Sequence, residues 1–115
     1  MRALLDVNVL IALHDSNHIH HAEAARWLQT HAEQGWASCP LTQNGCLRIM
    51  GQPGYANPQP LPILTAMLAQ STATRFHQFW PDDISLLDSR HFNHTHIHGP
   101  RQLTDMYLLA LALHH

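Results

Sequence analysis

The sequence has no lysine, only two cysteines, and charged residues at just 12% of its positions. Six arginines against eight acids give a formal net charge of −2, so no broad basic field marks the chain for nucleic acid. A polyanionic ligand would have to be held by a few arginines or by a metal. Cys39 and Cys46 are too far apart for a CxxC redox or zinc pair and read as reduced, partly buried thiols. No apolar run approaches the roughly 20 residues of a membrane-spanning helix. The apolar start has neither a basic leader nor an Ala-x-Ala cleavage site, so a cytoplasmic protein without membrane attachment is expected.

What remains is 115 residues that are 45% hydrophobic, enough for one globular domain spanning residues 1–115, together with twelve histidines. Residues Ala3 to Asp6 form an apolar run without polar alternation, as in a strand buried on both faces. A helix is expected over Val7 to His14, then another from His20 to about Glu33, with Ala24, Trp27, Leu28 and Ala32 at helical spacing. Gly35 stops that helix, and Trp36 to Cys39 reads as a second strand. Pro40 suits the first position of a third helix running to Ile49, which Gly45 weakens slightly. The Pro- and Gly-rich segment Gly51 to Pro60 is a loop, Leu61 to Thr74 a helix, and Phe76 to Trp80 a third strand. Ile84 to Arg90 is a short helix or turn, and His91 to Gly99 is irregular. The last helix has Thr104 as its expected N-cap, Asp105 in its first turn, and Leu108, Leu109, Leu111 and Ala112 on its apolar face. Strands alternating with helices imply an α/β fold with a mainly parallel sheet.

Two acids stand out. Asp6 interrupts the apolar run Leu4 to Leu13 and is either the cap of the next helix or a ligand, because an unpaired buried carboxylate costs several kcal/mol by rough estimate. Asp105, at the start of an apolar helix, is favoured as an anion by the helix dipole, and it too has a purely stabilising reading. An acid at the carboxyl end of a strand lies where open α/β sheets bind their ligands.

Three segments in matching order carry a resemblance: Asp6 to Leu10, Trp36 to Ile49, and Gly99 to Ala112. In them the sequence resembles the PIN-domain nucleases, specifically the VapC-like toxins of bacterial toxin–antitoxin pairs. The resemblance implies a three-layer fold with helices flanking the sheet and an endoribonuclease that uses Mg²⁺ or Mn²⁺ to hydrolyse RNA phosphodiesters. It also implies a homodimer silenced by a cognate antitoxin. Asp6 and Asp105 match family acids and become the expected metal ligands. Asn8 matches the small polar residue after the first acid and joins them as a catalytic residue. Mg²⁺ prefers hard oxygens and needs only one or two protein carboxylates beside waters and a substrate phosphate.

The sequence also departs from the family pattern. Gln43 stands where many members carry a glutamate, so it is at most a weak neutral ligand. The family continues past the Asp105 helix into a strand ending in a further Asp, whereas this sequence stops at His114–His115 and is expected to lack that strand and expose a sheet edge. The alternative is therefore a non-catalytic truncated PIN-like module that binds an antitoxin or another protein. Asp15, Asp82, Asp83 and Asp88 read as solvated loop acids rather than replacements. Arg48 and Arg101 are candidates for RNA phosphate, with ordinary ion pairs as the plain alternative. His91, His94, His96 and His98 read as a solvated stretch that binds metal adventitiously, and Trp27, Trp36, Phe76, Phe79 and Trp80 as core.

Overall fold

The computed structural model describes residues 2–92 and 99–115, with only the backbone at Arg101. The chain divides into two compact units, Met1–Trp80 and Pro81–His115. The N-terminal unit holds a three-stranded parallel sheet of β1 (Ala3–Leu4), β2 (Trp36–Ser38) and β3 (His77–Phe79) in the order β1-β2-β3. Ala3 pairs with Trp36 and Leu4 with Ala37, while Trp36, Ala37 and Ser38 pair with His77, Gln78 and Phe79. The central strand is buried throughout, the polar Ser38 included, as expected for a strand paired on both edges.

Parallel neighbours need crossover helices, and the sequence supplies two per crossover. Between β1 and β2 run α1 (Val7–His14) and α2 (His21–His31), the latter ending in a 3₁₀ turn at Ala32–Gln34. Between β2 and β3 run α3 (Pro40–Met50) and α4 (Leu61–Thr72). Helix α1 packs against α2 and α3, and α3 against α4. Leu5, Leu10, Ile11, Trp36, Cys46, Met50 and Leu64 form the common core. Each fully buried leucine contributes about 1.5–3 kcal/mol of transfer free energy, an upper figure because unfolded chains are already partly collapsed.

Two glycines are required by geometry. Gly35 takes φ +82° between the 3₁₀ turn and β2, a left-handed conformation that side chains avoid. At Gly45 an added Cβ would lie 2.7 Å from Val7 Cγ2, so the glycine that weakens α3 by propensity is what lets it approach α1. At the start of α3, Cys39 Sγ lies 3.6 Å from Thr42 Oγ1, and that hydroxyl accepts the Cys39 N–H at 3.0 Å. Pro40 follows at the first helical position.

Among its described residues, the C-terminal unit has turns through residues 84–92 and the helix α5 (Arg101–His114). Phe92 is buried with its ring stacked on Tyr107 at 6.4 Å, and Leu108, Ala110 and Leu111 are buried with them.

Three expectations are corrected. The final helix starts at Arg101 rather than after Thr104, because Pro100, already at φ −60° and ψ −29°, opens the helical conformation without needing an N–H partner. Asp105 therefore lies past the first turn, beyond the strongest part of the helix dipole. Phe79 is half exposed rather than core, since alternation on the edge strand β3 turns it away from the buried Trp80 that follows. Asp15 is buried, not solvated: it accepts the Tyr55 hydroxyl and the Asn17 N–H.

Candidate functional site

Strand β1 gives way to α1 through Asp6. The Leu5 N–H still bonds Ala37 O at 3.1 Å, and the chain then leaves the ladder with Asp6 at φ −75° and ψ 173°. Asp6 Oδ1 accepts the Val9 N–H at 2.9 Å, while its carbonyl accepts the Leu10 N–H at 3.0 Å. The acid in the apolar run is thus an exposed helix cap at the carboxyl end of a parallel strand, set where helix N–H groups favour negative charge. Capping uses one carboxylate oxygen. Among the described residues no side chain pairs with Oδ2, so Asp6 serves as a cap with its second oxygen uncommitted.

Asn8, exposed on the first turn of α1, lines the same groove as Asp6. This groove of about 600 Å³ runs along β1 and between α1 and α2, with Leu4, Val9, Ala12 and Trp27 as apolar walls. Its far rim carries His18, His20 and Glu23, with His20 Nδ1 3.3 Å from Glu23 Oε2. Sequence reasoning missed these rim groups. Glu23 looks like any first-turn helix acid, and only the packing of α2 beside α1 brings it to the groove.

Gln43 is elsewhere in the N-terminal unit and is not among the groove-lining residues. Its Nε2–H donates to Ser38 Oγ at 2.9 Å, and Ser38 Oγ lies 2.7 Å from His77 Nε2. Accepting from Gln43, the Ser38 hydroxyl can itself donate a hydrogen bond to His77 Nε2, an arrangement with a neutral ring that agrees with burial lowering the His77 pKa. Gln43 therefore ends a neutral hydrogen-bond chain across the carboxyl end of β2 rather than adding charge.

Asp105 is exposed on α5 in the C-terminal unit, and Arg101 opens that helix. Arg48 is exposed near the end of α3. Asp88 is held by Arg90, which donates from Nη2 at 2.7 Å and keeps the carboxyl far below its ordinary range, near 2. Cys39 and Cys46 are both buried, and burial pushes the Cys46 thiol up to about 11, so it is no nucleophile near neutral pH. His91 is exposed; His94, His96 and His98 lie outside the described residues.

A three-stranded parallel sheet joined by paired crossover helices, with a carboxylate capping the helix that leaves an edge strand, is an α/β arrangement that fits the PIN-like class. No family model matches the chain. It is 49% identical over all 115 of its residues to ribonuclease VapC44 of Mycobacterium tuberculosis, covering 81% of that protein. Ribonucleases VapC39 and VapC38 of the same organism are 42% and 43% identical over 113 and 112 residues, with 81% and 77% of their lengths covered. The chain belongs to the VapC ribonuclease family.

Proposed function

We propose that this protein is a divalent-metal-dependent endoribonuclease, the toxin of a toxin–antitoxin pair, acting in the cytoplasm on RNA phosphodiesters. The observation that carries the reading is similarity to named ribonucleases over all 115 residues of this sequence, joined to Asp6 at the strand end with one oxygen uncommitted. Asp6 and, in the C-terminal unit, Asp105 are the proposed carboxylate ligands, and Asn8 the neighbouring group that orients a water or a ligand. Their oxygens are the hard donors that Mg²⁺ or Mn²⁺ takes. When bound, the ion supplies a more acidic water and offsets charge developing on phosphorus. Arg48 and Arg101 are proposed to grip RNA phosphate, for which a guanidinium fork is suited. The active form is proposed to be a homodimer inhibited by its antitoxin.

The engagement of Gln43 with Ser38, in place of a charged side chain, favours a second reading: a PIN-like module that binds a partner without cutting RNA. Cleavage of a labelled RNA with Mg²⁺ or Mn²⁺, by wild type and by Asp6→Asn and Asp105→Asn, separates the two. Metal-dependent cleavage lost in both variants is the expected result. Cleavage unchanged by both substitutions refutes the site, and no cleavage by wild type favours the second reading.

A further inference from the structure

The C-terminal unit contains a cluster that ribonuclease chemistry leaves unused. Asp83 lies in the irregular segment after Pro81, His114 is the last residue of α5, and His115 is its C-cap. One ligand-type atom from each lies within 4.8 Å of the other two. His115 Nε2 is 3.1 Å from Asp83 Oδ1, and His114 Nε2 is 3.6 Å from Asp83 Oδ2. The two rings meet edge to face with centroids 5.1 Å apart. The His115 N–H bonds Leu111 O at 3.1 Å, which fixes the backbone that carries the second ring.

These separations match a particular chemistry. Two nitrogen or oxygen ligands at about 2.0–2.1 Å from a tetrahedral ion lie roughly 3.3 Å apart, and the two observed distances bracket that value. Two imidazoles and one carboxylate suit zinc and its neighbours, whereas Mg²⁺ takes oxygen ligands and keeps its waters. All three side chains reach solvent, Asp83 and His114 more than His115, so an ion can enter from bulk water and keep water in a fourth position. No local pattern announces the cluster, because Asp83 is 31 residues from His114 and 32 from His115 and the three fit no metal motif.

We propose that Asp83, His114 and His115 form a binding site for a zinc-class divalent transition metal, different in ligand chemistry from the Mg²⁺ or Mn²⁺ of the proposed nuclease centre. Without the ion, imidazole N–H groups face the carboxylate. On binding, each ring presents an unprotonated Nε2 and carries its proton on Nδ1, so neutral rings lose no proton overall. The ion ties the end of α5 to the segment after Pro81 and closes a long loop within this unit, which stabilises it against unfolding.

Zn²⁺ titration of the full chain by calorimetry, with millimolar Mg²⁺ present throughout, tests the proposal. Asp83→Asn, His114→Ala and His115→Ala are each expected to weaken Zn²⁺ binding about tenfold or more, on the scale of metal-site perturbations. A His94→Ala/His96→Ala/His98→Ala variant, which leaves the cluster intact, is expected to retain binding. The proposal is overturned by wild-type affinity in the three cluster variants, by loss of binding in the triple variant alone, or by no Zn²⁺ binding in the wild type. Because the readout is affinity, these outcomes do not depend on whether the protein cuts RNA.

Discussion

Replacing Asp6 by Asn and by Ala separates its two roles, because one oxygen caps α1 while the other is proposed to meet a metal. The cap is a single hydrogen bond from the Val9 N–H to Oδ1 at 2.9 Å. Asparagine ranks with aspartate as an N-cap and offers the same acceptor, so Asp6→Asn loses only the charge–dipole attraction, about 0.5 kcal/mol at an exposed position. Asp6→Ala loses that and the cap, about 1.5 kcal/mol together. For a chain of this size that is a fall of roughly 6 °C in Tm, against about 2 °C for the asparagine variant. RNA cleavage is expected to follow another order, falling on the order of 100-fold in both variants, as when a preorganised electrostatic group is removed from a reaction centre. Thermal melts by circular dichroism, paired with cleavage of a labelled RNA well below either Tm, give both readouts. If Asp6→Asn keeps wild-type cleavage, or activity merely follows stability, Asp6 is only a cap and the metal reasoning fails.

Gly45→Ala is expected to destabilise although alanine is the better helix former by about 1 kcal/mol, because crowding against Val7 costs about 1–3 kcal/mol; Val7→Ala in the same chain restores part of the loss, and urea denaturation showing a more stable single variant contradicts the packing. Tyr55→Phe removes the hydroxyl that Asp15 accepts and leaves the buried carboxylate with the Asn17 N–H, a loss of about 1–3 kcal/mol by urea denaturation, and a neutral result means that Asp15 is not held this way. Burial lowers the pKa of His14 and of His77, the latter aided by the positive charge of Arg2. As pH falls below about 6.5 the unfolded chain takes up protons at these rings before the folded one does, so stability is full above that pH and lost below it. The urea midpoint is therefore expected to be lower at pH 5.5 than at 7.5, with a smaller difference in His14→Gln; greater stability at pH 5.5 refutes the assignment.

Much of the N-terminal unit was legible because its signals are local. Pro40 at the first position of α3 and Gly35 before β2 act through their own backbone geometry, and the apolar run into Asp6 marks a strand passing into a capped helix, although that edge strand is half-buried rather than covered on both faces. The edges of elements were less legible. Thr104 is a good cap by residue type, yet Pro100 comes earlier and pre-sets the helix. Phe79 is apolar in an apolar strand, but a side chain at the end of an edge strand has too few neighbours to bury it.

The sequence by itself determined the class of the protein: the order of strands and helices, the placement of Asp6 at a strand end, and the three segments in which it resembles VapC-like toxins. Tertiary structure alone decided which distant groups meet. It set Glu23 and His20 on the rim of the groove that holds Asp6 and Asn8, and tied Gln43 to His77 through Ser38. It also buried Asp15 under Tyr55 and gathered Asp83 with His114 and His115. The reason is physical: caps, turns and periodicity are written within a few residues, whereas a convergence of polar side chains is set by how helices pack. Asp6 belongs to both levels, since its cap is local and its role as a ligand depends on what the fold brings to its second oxygen.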